Sequence, residues 1–513
     1  MKLFSLCLCL VLVTLGCEGQ SLSATVAAAD LLTAQAADKQ TLAPDATAPR
    51  STSACTALPP VPARPARVRN VTEFGATPSD SVDNTEAIQK ALNGLSPGEW
   101  LVFPPGRYLH SKSLHAKVPN TVMWGEGATL HATNPADQAV WIEADGASIY
   151  KFTLTAVSDR RRTAPWESRI AVFGGSGSGG RLLSGNVIRG NRVIEGGEPG
   201  TPLANSTSTA GILMYHATNF LVAENTVSRS LADGIHVTSG SSYGRVLNNN
   251  VKETGDDMIA VVSYIADPST SATAIAADFD ERKARNLNHH ILIANNTLSG
   301  QYWGRGIAVV GGENIIIEHN SIDRTTHGAA VYIARETSYL TFGVRNVLVR
   351  DNTITDVQTT NPQYTAGTVS PTAPKTGHGA IEIYAWLFTD EAANDRLRDA
   401  LSVQDIRIES NTINRARGDG VRIGKGWGQT WSFTAKTKDG SSFTRNVTGG
   451  QVGRIVLKNN KIMSIAGQPL AIYNEPPEQL KIACDANVHE GKAASHRVCS
   501  ATPAPVAVPD CAW

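Results

Sequence analysis

The chain has 513 residues, 41% hydrophobic and 18% charged, with 46 Lys and Arg balanced by 46 Asp and Glu. Zero formal net charge offers no field to a polyanion, so no nucleic-acid partner is expected. The apolar fraction excludes wholesale disorder, and 45 glycines with 6% aromatics point to a turn-rich β protein.

The first element is Met1-Lys2 followed by an apolar run from Leu3 to Leu15, too short to span a bilayer stably and in keeping with a secretory signal over residues 1–17. Thr14-Leu15-Gly16-Cys17 resembles a bacterial lipoprotein cleavage box, which implies Cys17 as the lipidated residue; ordinary signal cleavage nearby is the alternative. No other segment approaches a transmembrane length, so membrane attachment is expected only through a lipid anchor. Residues 18–66, rich in Ala, Thr, Ser and Pro, are expected to be a disordered tether. Cys7 and Cys9 leave with the signal, and Cys55, Cys484, Cys499 and Cys511 remain. An even number in an exported chain suggests two disulfides holding the tails, with Cys484–Cys499 the preferred pair in a C-terminal tail over 476–513. Three pairings stay open, and a zinc site lacks the Cys-x-x-Cys spacing.

Residues 67–475 carry internal self-similarity. Glu224-Asn225-Thr226-Val227, Asn249-Asn250-Val251, Asn295-Asn296-Thr297-Leu298, His319-Asn320-Ser321-Ile322, Asp351-Asn352-Thr353-Ile354, Ser410-Asn411-Thr412-Ile413 and Asn459-Asn460-Lys461-Ile462 recur after alternating apolar runs. The base period is 24 or 25 residues, counted from Asn225 to Asn250 and from Asn296 to Asn320. Short β runs at that period predict a parallel β-helix with asparagines laddering at one turn and equivalent residues about 4.8 Å apart in neighbouring coils.

Asp83-Asn84-Thr85-Glu86 has capping-box spacing, and Ala87, Ile88, Ala91 and Leu92 form an apolar face, predicting a short helix over the first coil. With Val71-Thr72-Glu73-Phe74-Gly75-Ala76 before it and Leu101-Val102-Phe103-Pro104-Pro105-Gly106 after it, the opening resembles that of the pectate-lyase superfamily. The resemblance implies an all-β, right-handed parallel β-helix and leaves the chemistry open.

One strand of each coil has an apolar-x-apolar core: Ile235-His236-Val237, Ile259-Ala260-Val261, Ile307-Ala308-Val309, Val331-Tyr332-Ile333, Ile381-Glu382-Ile383 and Val421-Arg422-Ile423. The middle residue of each is expected to face solvent. Two positions before the cores stand Asp233, Asp257, Arg305, Ala329, Gly379 and Asp419, with Asp256 beside Asp257. Asp233, Asp256 and Asp257 thus share one patch, where mutual repulsion lets one hold a proton near neutral pH. Glycosidic hydrolysis needs one acid for the leaving oxygen and one carboxylate to activate water. The large insertions 263–288, 336–343, 387–402 and 425–452 follow strands of this column, and 355–376 precede one; they bring Tyr264, Tyr339, Phe342, Tyr364, Phe388, Trp427, Trp431 and Phe433.

Asp233-Gly234-Ile235, Asp256-Asp257-Met258 and Gly304-Arg305-Gly306 resemble the Asn-Thr-Asp-Gly, Gly-Asp-Asp and Gly-His-Gly motifs of polygalacturonases. That resemblance implies Asp256 as general acid and Asp233 with Asp257 as the pair activating water in an inverting reaction. Leu231-Ala232, Arg305, Ala330 and Tyr332 depart from the family's Asn-Thr, His and Arg-Ile-Lys, which argues against plain pectin as substrate. Gly420-Val421-Arg422-Ile423-Gly424-Lys425 is similar to the missing basic motif but lies two coils late. His236, Arg305, Tyr332, His378, Glu382 and Arg422 are the candidate sugar contacts.

The expectation is therefore an exported, monomeric glycoside hydrolase acting on a polysaccharide without a cofactor, at a bacterial cell envelope through its lipid anchor (periplasmic or cell-surface) or secreted. A lyase or uronate epimerase, with calcium on the acids and Arg305, Tyr332 or His378 as base, is the first alternative. A non-catalytic glycan-binding or adhesive solenoid is the second.

Overall fold

The computed structural model describes residues 55–65, 68–157, 168–175, 180–194, 210–230, 232–301, 304–358, 378–424, 429–437, 440–473, 481–496 and 499–500. The signal segment with Cys17, the tether before residue 55, Tyr364, Trp427 and Cys511 lie outside these residues.

Period-two patterning in short runs gives three long parallel sheets wound into a right-handed β-helix. The first sheet runs from Arg69–Asn70 to Cys499–Ser500, the second from Leu114–Ala116 to Leu470–Ile472, and the third from Gly106–His110 to Val488–His489. The inward positions of all three make one continuous core, including Ile149, Ile188, Val222, Val246, Ile293 and Ile317. The expected cores Ile235, Ile259, Ile307, Val331, Ile381 and Val421 are register partners in the second sheet.

The asparagine ladder runs through Asn191, Asn225, Asn249, Asn296, Asn320, Asn352, Asn411, Asn460 and Asn487. From Asn225 onward each Oδ1 accepts from the backbone N–H of the ladder asparagine one coil earlier, and Asn191 Oδ1 accepts from the Phe152 amide. Buried amides are thereby satisfied at every turn. Asn249, rather than Asn250, holds the rung; Asn250 opens the next strand, paired with Thr226 and Thr297. The step from Asn225 is then 24 residues, equal to that from Asn296 to Asn320.

The helix over the first coil is Thr85–Asn93, burying Ile88, Ala91 and Leu92. Its expected capping box is not formed. Asn84 is the N-cap, and Asp83 Oδ1 instead accepts from the Thr85 amide at 2.9 Å while Glu86 is exposed.

Two boundaries differ from those expected. Residues 55–65 form a strap on the outer face of the first sheet, not free tether. Cys55 and Leu58 cluster there with Leu221, Leu247, Leu292, Ile316 and Leu348, and Arg245 and Arg189 donate to the carbonyls of Ala57 and Pro59 at 3.1 and 2.6 Å. An outward apolar column needs cover, and the strap supplies it. Parallel pairing also continues past residue 475, through Ile482–Asp485 to Cys499–Ser500. Cys484 and Cys499 are disulfide-bonded on these last two strands; Cys55 is disulfide-bonded too.

The insertions on the second sheet fold together. Helices Ala272–Ala277, Phe279–Asn286, Thr389–Ala392 and Asp395–Ala400 and the hairpin Thr430–Lys436/Ser442–Gly449 surround a second core of Ile275, Phe279, Phe342, Phe388, Leu397 and Val447. Arg335 and Glu391, both fully buried, pair at 2.7 Å and tie this lobe to the strand Val331–Arg335.

Candidate active site

The outer face of the second sheet brings the expected acids together. Asp233 begins the strand Asp233–Thr238, and Asp256 and Asp257 precede Ile259–Val262 one coil on. One oxygen from each of the three carboxylates lies within 4.8 Å of the others. The acids also build the turns that hold them. Asp233 Oδ1 accepts the Asp257 amide at 3.0 Å, and Asp257 Oδ1 accepts the Arg305 amide at 2.7 Å. Gly304 lets the next coil pass, because a Cβ there would meet Asp256 Oδ1 at 2.4 Å and the Asp257 nitrogen at 2.6 Å.

Asp256 and Asp257 are 7% and 5% exposed. Burial is the main force pushing the Asp257 carboxyl well above the usual range; Asp256 and Asp233 add to it, and Arg305 opposes it. A carboxyl raised in this way is the kind that can hold a proton beside two further acids; the motif resemblance gives the acid role to Asp256. His236 bonds Asp233 Oδ2 through Nδ1.

Arg305 Nη1 lies 3.7 Å from Asp257 and Nη2 lies 2.7 Å from Glu336, with the guanidinium 4.1 Å over the Tyr332 ring. Burial would lower its pKa, but Asp257 and Glu336 outweigh that and raise it well above the ordinary value. Tyr332 is 0% exposed, with its hydroxyl on Glu336 at 2.6 Å and on the Tyr384 hydroxyl. The expectation that the middle column faces solvent is thus corrected. Ala260, Ala308, Tyr332, Glu382 and Arg422 point out of the helix but are buried, Ala260, Ala308 and Tyr332 packing with Tyr264 and Tyr384. Tyr332 supports Arg305 from beneath rather than offering a sugar contact.

His378 Nδ1 is 2.6 Å from Glu382, which also accepts the Gly379 amide at 3.0 Å. This pair borders the main cluster through the Tyr332 ring, 6.1 Å from that of His378. Arg422 stands apart, bound by Nε and Nη2 to Asp419 Oδ2 at 2.8 Å each. Burial, with His378 and Arg305 nearby, lowers His327 to about 4, so it is a neutral neighbour.

Glu336 and Tyr384 are site residues that the column of cores did not single out. Both were within reach of the same rule, since Tyr332 to Glu336 and Glu382 to Tyr384 keep the outward period of two. Burial drives the Tyr264 hydroxyl well above its usual range, with Tyr339, Asp233, Glu336 and Asp256 adding to the effect; Tyr384 is pushed up to about 12, again mainly by burial. Among the described residues, Asp233, Asp256 and Asp257 are the set that could hold a cation. They suit calcium poorly, because it takes six to eight oxygens, whereas two of these carboxylate oxygens already accept backbone amides.

Residues 68–370, more than half of the chain, match the family described as rhamnogalacturonase A/epimerase, pectate lyase-like. The chain belongs to this family. No curated protein matches the sequence of this family member. Among solved structures it is similar to PfbA, a surface adhesin of Streptococcus pneumoniae, with TM-score 0.51 and 13% identity over 82% of this chain and 90% of that one. It is also similar to the Agl-KA catalytic domain, with TM-score 0.50 and 16% identity over 83% and 70%. The catalytic domain of a GH87 alpha-1,3-glucanase in complex with nigerose gives TM-score 0.50 and 15% identity over 84% and 70%. At these identities the likeness is one of fold. Among the described residues no helix is long and apolar enough to cross a membrane.

Proposed function

We propose that this protein is an exported glycoside hydrolase that cleaves a polysaccharide at Asp233, Asp256 and Asp257. One observation supports this above the rest: three carboxylates share a patch within 4.8 Å, and burial pushes the Asp257 carboxyl well above its usual range. Asp257 would give a proton to the leaving glycosidic oxygen, while an ionised partner takes a proton from the attacking water. Water adds to the anomeric carbon, the carbon–oxygen bond to the leaving sugar breaks, and the proton balance closes over the trio. Arg305, fixed by Glu336 and stacked on Tyr332, would sit beside the developing charge.

The motif resemblance favours inversion, with Asp256 as the acid and Asp233 with Asp257 on the water; with Asp257 as the acid instead, Asp233 and Asp256 are left to hold the water. The spacing favours a second course. Inverting carboxyls usually stand about 6.5–9.5 Å apart and retaining ones about 5–5.5 Å, and donor oxygens within 4.8 Å are nearer the latter, with Asp233 then the nucleophile. A lyase or epimerase base is less well supported. Tyr332 is fully buried, and Tyr384 holds its proton to about pH 12.

The experiment is a screen of protein beginning before Cys55 against neutral and acidic polysaccharides, reading reducing ends and ultraviolet absorbance together, with Asp257→Asn alongside. Reducing ends without absorbance, lost in the variant, are expected. Absorbance appearing with the ends would move the chemistry to a lyase. Proton NMR of the first product anomer then separates inversion from retention.

A further inference from the structure

The second sheet carries another outward feature that the acid cluster does not use. On the coils before Asp233 the outward positions are aromatic. His115 and Trp141 are register partners on neighbouring strands, and Phe173 is the partner of Tyr215. Trp141 lies parallel to His115 with centroids 6.0 Å apart and planes 8° off. It meets Phe173 edge-on at 4.9 Å, and Phe173 meets Tyr215 at 4.8 Å. Tyr215 in turn is the partner of Thr238, and Leu213 of His236, so the run ends one coil before the histidine that holds Asp233. At the usual strand spacing, about 14 Å separate the strand of Trp141 from that of Asp233, room for a few sugar rings.

Two observations set this run apart from ordinary packing. Trp141, Phe173 and Tyr215 are each partly exposed, whereas the outward residues on the other side of the trio, Ala260, Ala308 and Tyr332, are fully covered. Among the described residues, neither the Trp141 indole nor the Tyr215 hydroxyl has a hydrogen-bond partner. At the far end of the run His115 is held in place, with Nδ1 2.7 Å from Glu143. Amphipathic rings with a polar tip in reach of water suit the apolar faces and hydroxyls of uncharged sugars better than carboxylates.

We propose that His115, Trp141, Phe173 and Tyr215 form a stacking lane for uncharged sugar residues of the polysaccharide, leading along the solenoid from the acid cluster toward the first coil. The proposal rests on reading the trio as a polysaccharide site, because continuity with that site on one sheet face identifies the occupant as a glycan. The substrate would then present neutral sugars on this side of the bond that is cut.

The test is retention of the protein on an array of short and long oligosaccharides, neutral and uronic, for wild type, Asp257→Asn, Trp141→Ala, Tyr215→Ala and Trp141→Phe. Circular dichroism verifies that each variant is folded; partial exposure makes these truncations tolerable. Wild type and Asp257→Asn should both bind long neutral chains. Each Ala variant should lose about tenfold in apparent affinity for the long chains and little for the short, the loss of one stacked ring, with Trp141→Phe in between. Unchanged affinity in both Ala variants, retention confined to uronic chains, or no retention on any glycan would overturn the lane. The last result would mean that another part of the chain covers it. The two readings fail separately. If Asp257→Asn still hydrolyses while the Ala variants lose retention, the trio falls and the lane stands; intact retention in the Ala variants with Asp257→Asn inactive gives the reverse.

Discussion

Asp233-Gly234-Ile235-His236 and Asp419-Gly420-Val421-Arg422 are the same four-residue device used twice on one sheet. In each, one carboxylate oxygen accepts an amide of the next coil, Asp257 in the first and Gln468 at 2.8 Å in the second. The other oxygen engages the side chain three residues on, His236 or Arg422. What differs is the neighbour. The coil after Asp233 supplies two more acids, while the coil after Asp419 supplies Gly467-Gln468 and the pair closes on itself. An aspartate before glycine is thus a turn-former in both places, and only the stacking of coils makes one of them a candidate for chemistry.

That contrast can be broken most directly at Asp257. Asp257→Asn should reduce kcat for release of reducing ends by about 10²–10⁴-fold, the usual contribution of a positioned acid; near wild-type turnover would dissolve the distinction. Asp419→Ala should spare the turnover of each folded molecule yet cost stability. Its removal leaves Arg422, with a side chain 9% exposed, without its ion-pair partner, a loss of about 3–5 kcal/mol for a buried pair, to be read by urea denaturation. Glu336→Gln sharpens the comparison from a distance. With one anion fewer, Arg305 acts more on Asp257, whose carboxyl becomes more acidic. The alkaline limb of kcat/KM should then move to lower pH, on the order of one pH unit.

The smallest effect concerns stability and pH. Asp257 binds its proton more tightly in the folded protein than in the unfolded chain. Its contribution is fully present below the usual carboxylate range and is lost as pH rises from there through the raised folded value. Asp257→Asn removes that dependence, so at neutral pH it should melt higher than wild type by roughly one or two degrees, and the gap should vanish in acid. A thermal scan at both pH values checks it.

The fold was legible because its signals are local and repeated. Asparagines once per coil and apolar pairs two apart set the register of the second sheet, and stacking then put Asp233 beside Asp257 with no further information. The double asparagine at 249 and 250 misled by one residue, since either could stand on the rung until the strands are paired. The cover over the columns was not legible. Whether Tyr332 meets water depends on Arg305 and Tyr384, which are distant in sequence. The raised Asp257 carboxyl likewise comes mainly from burial, which no spacing reveals. The strap escaped notice because its partners, Leu221 through Leu348, are outward residues of separate coils, while its own composition reads as linker.

That strap also alters the mechanics of the molecule. Its carbonyls engage Arg245 and then Arg189 before the chain reaches its first strand at Arg69, so it lies lengthwise over several coils. A pull on the chain preceding Cys55 is therefore received partway along the stack, as shear spread over those contacts, before it can peel the first coil from its neighbour.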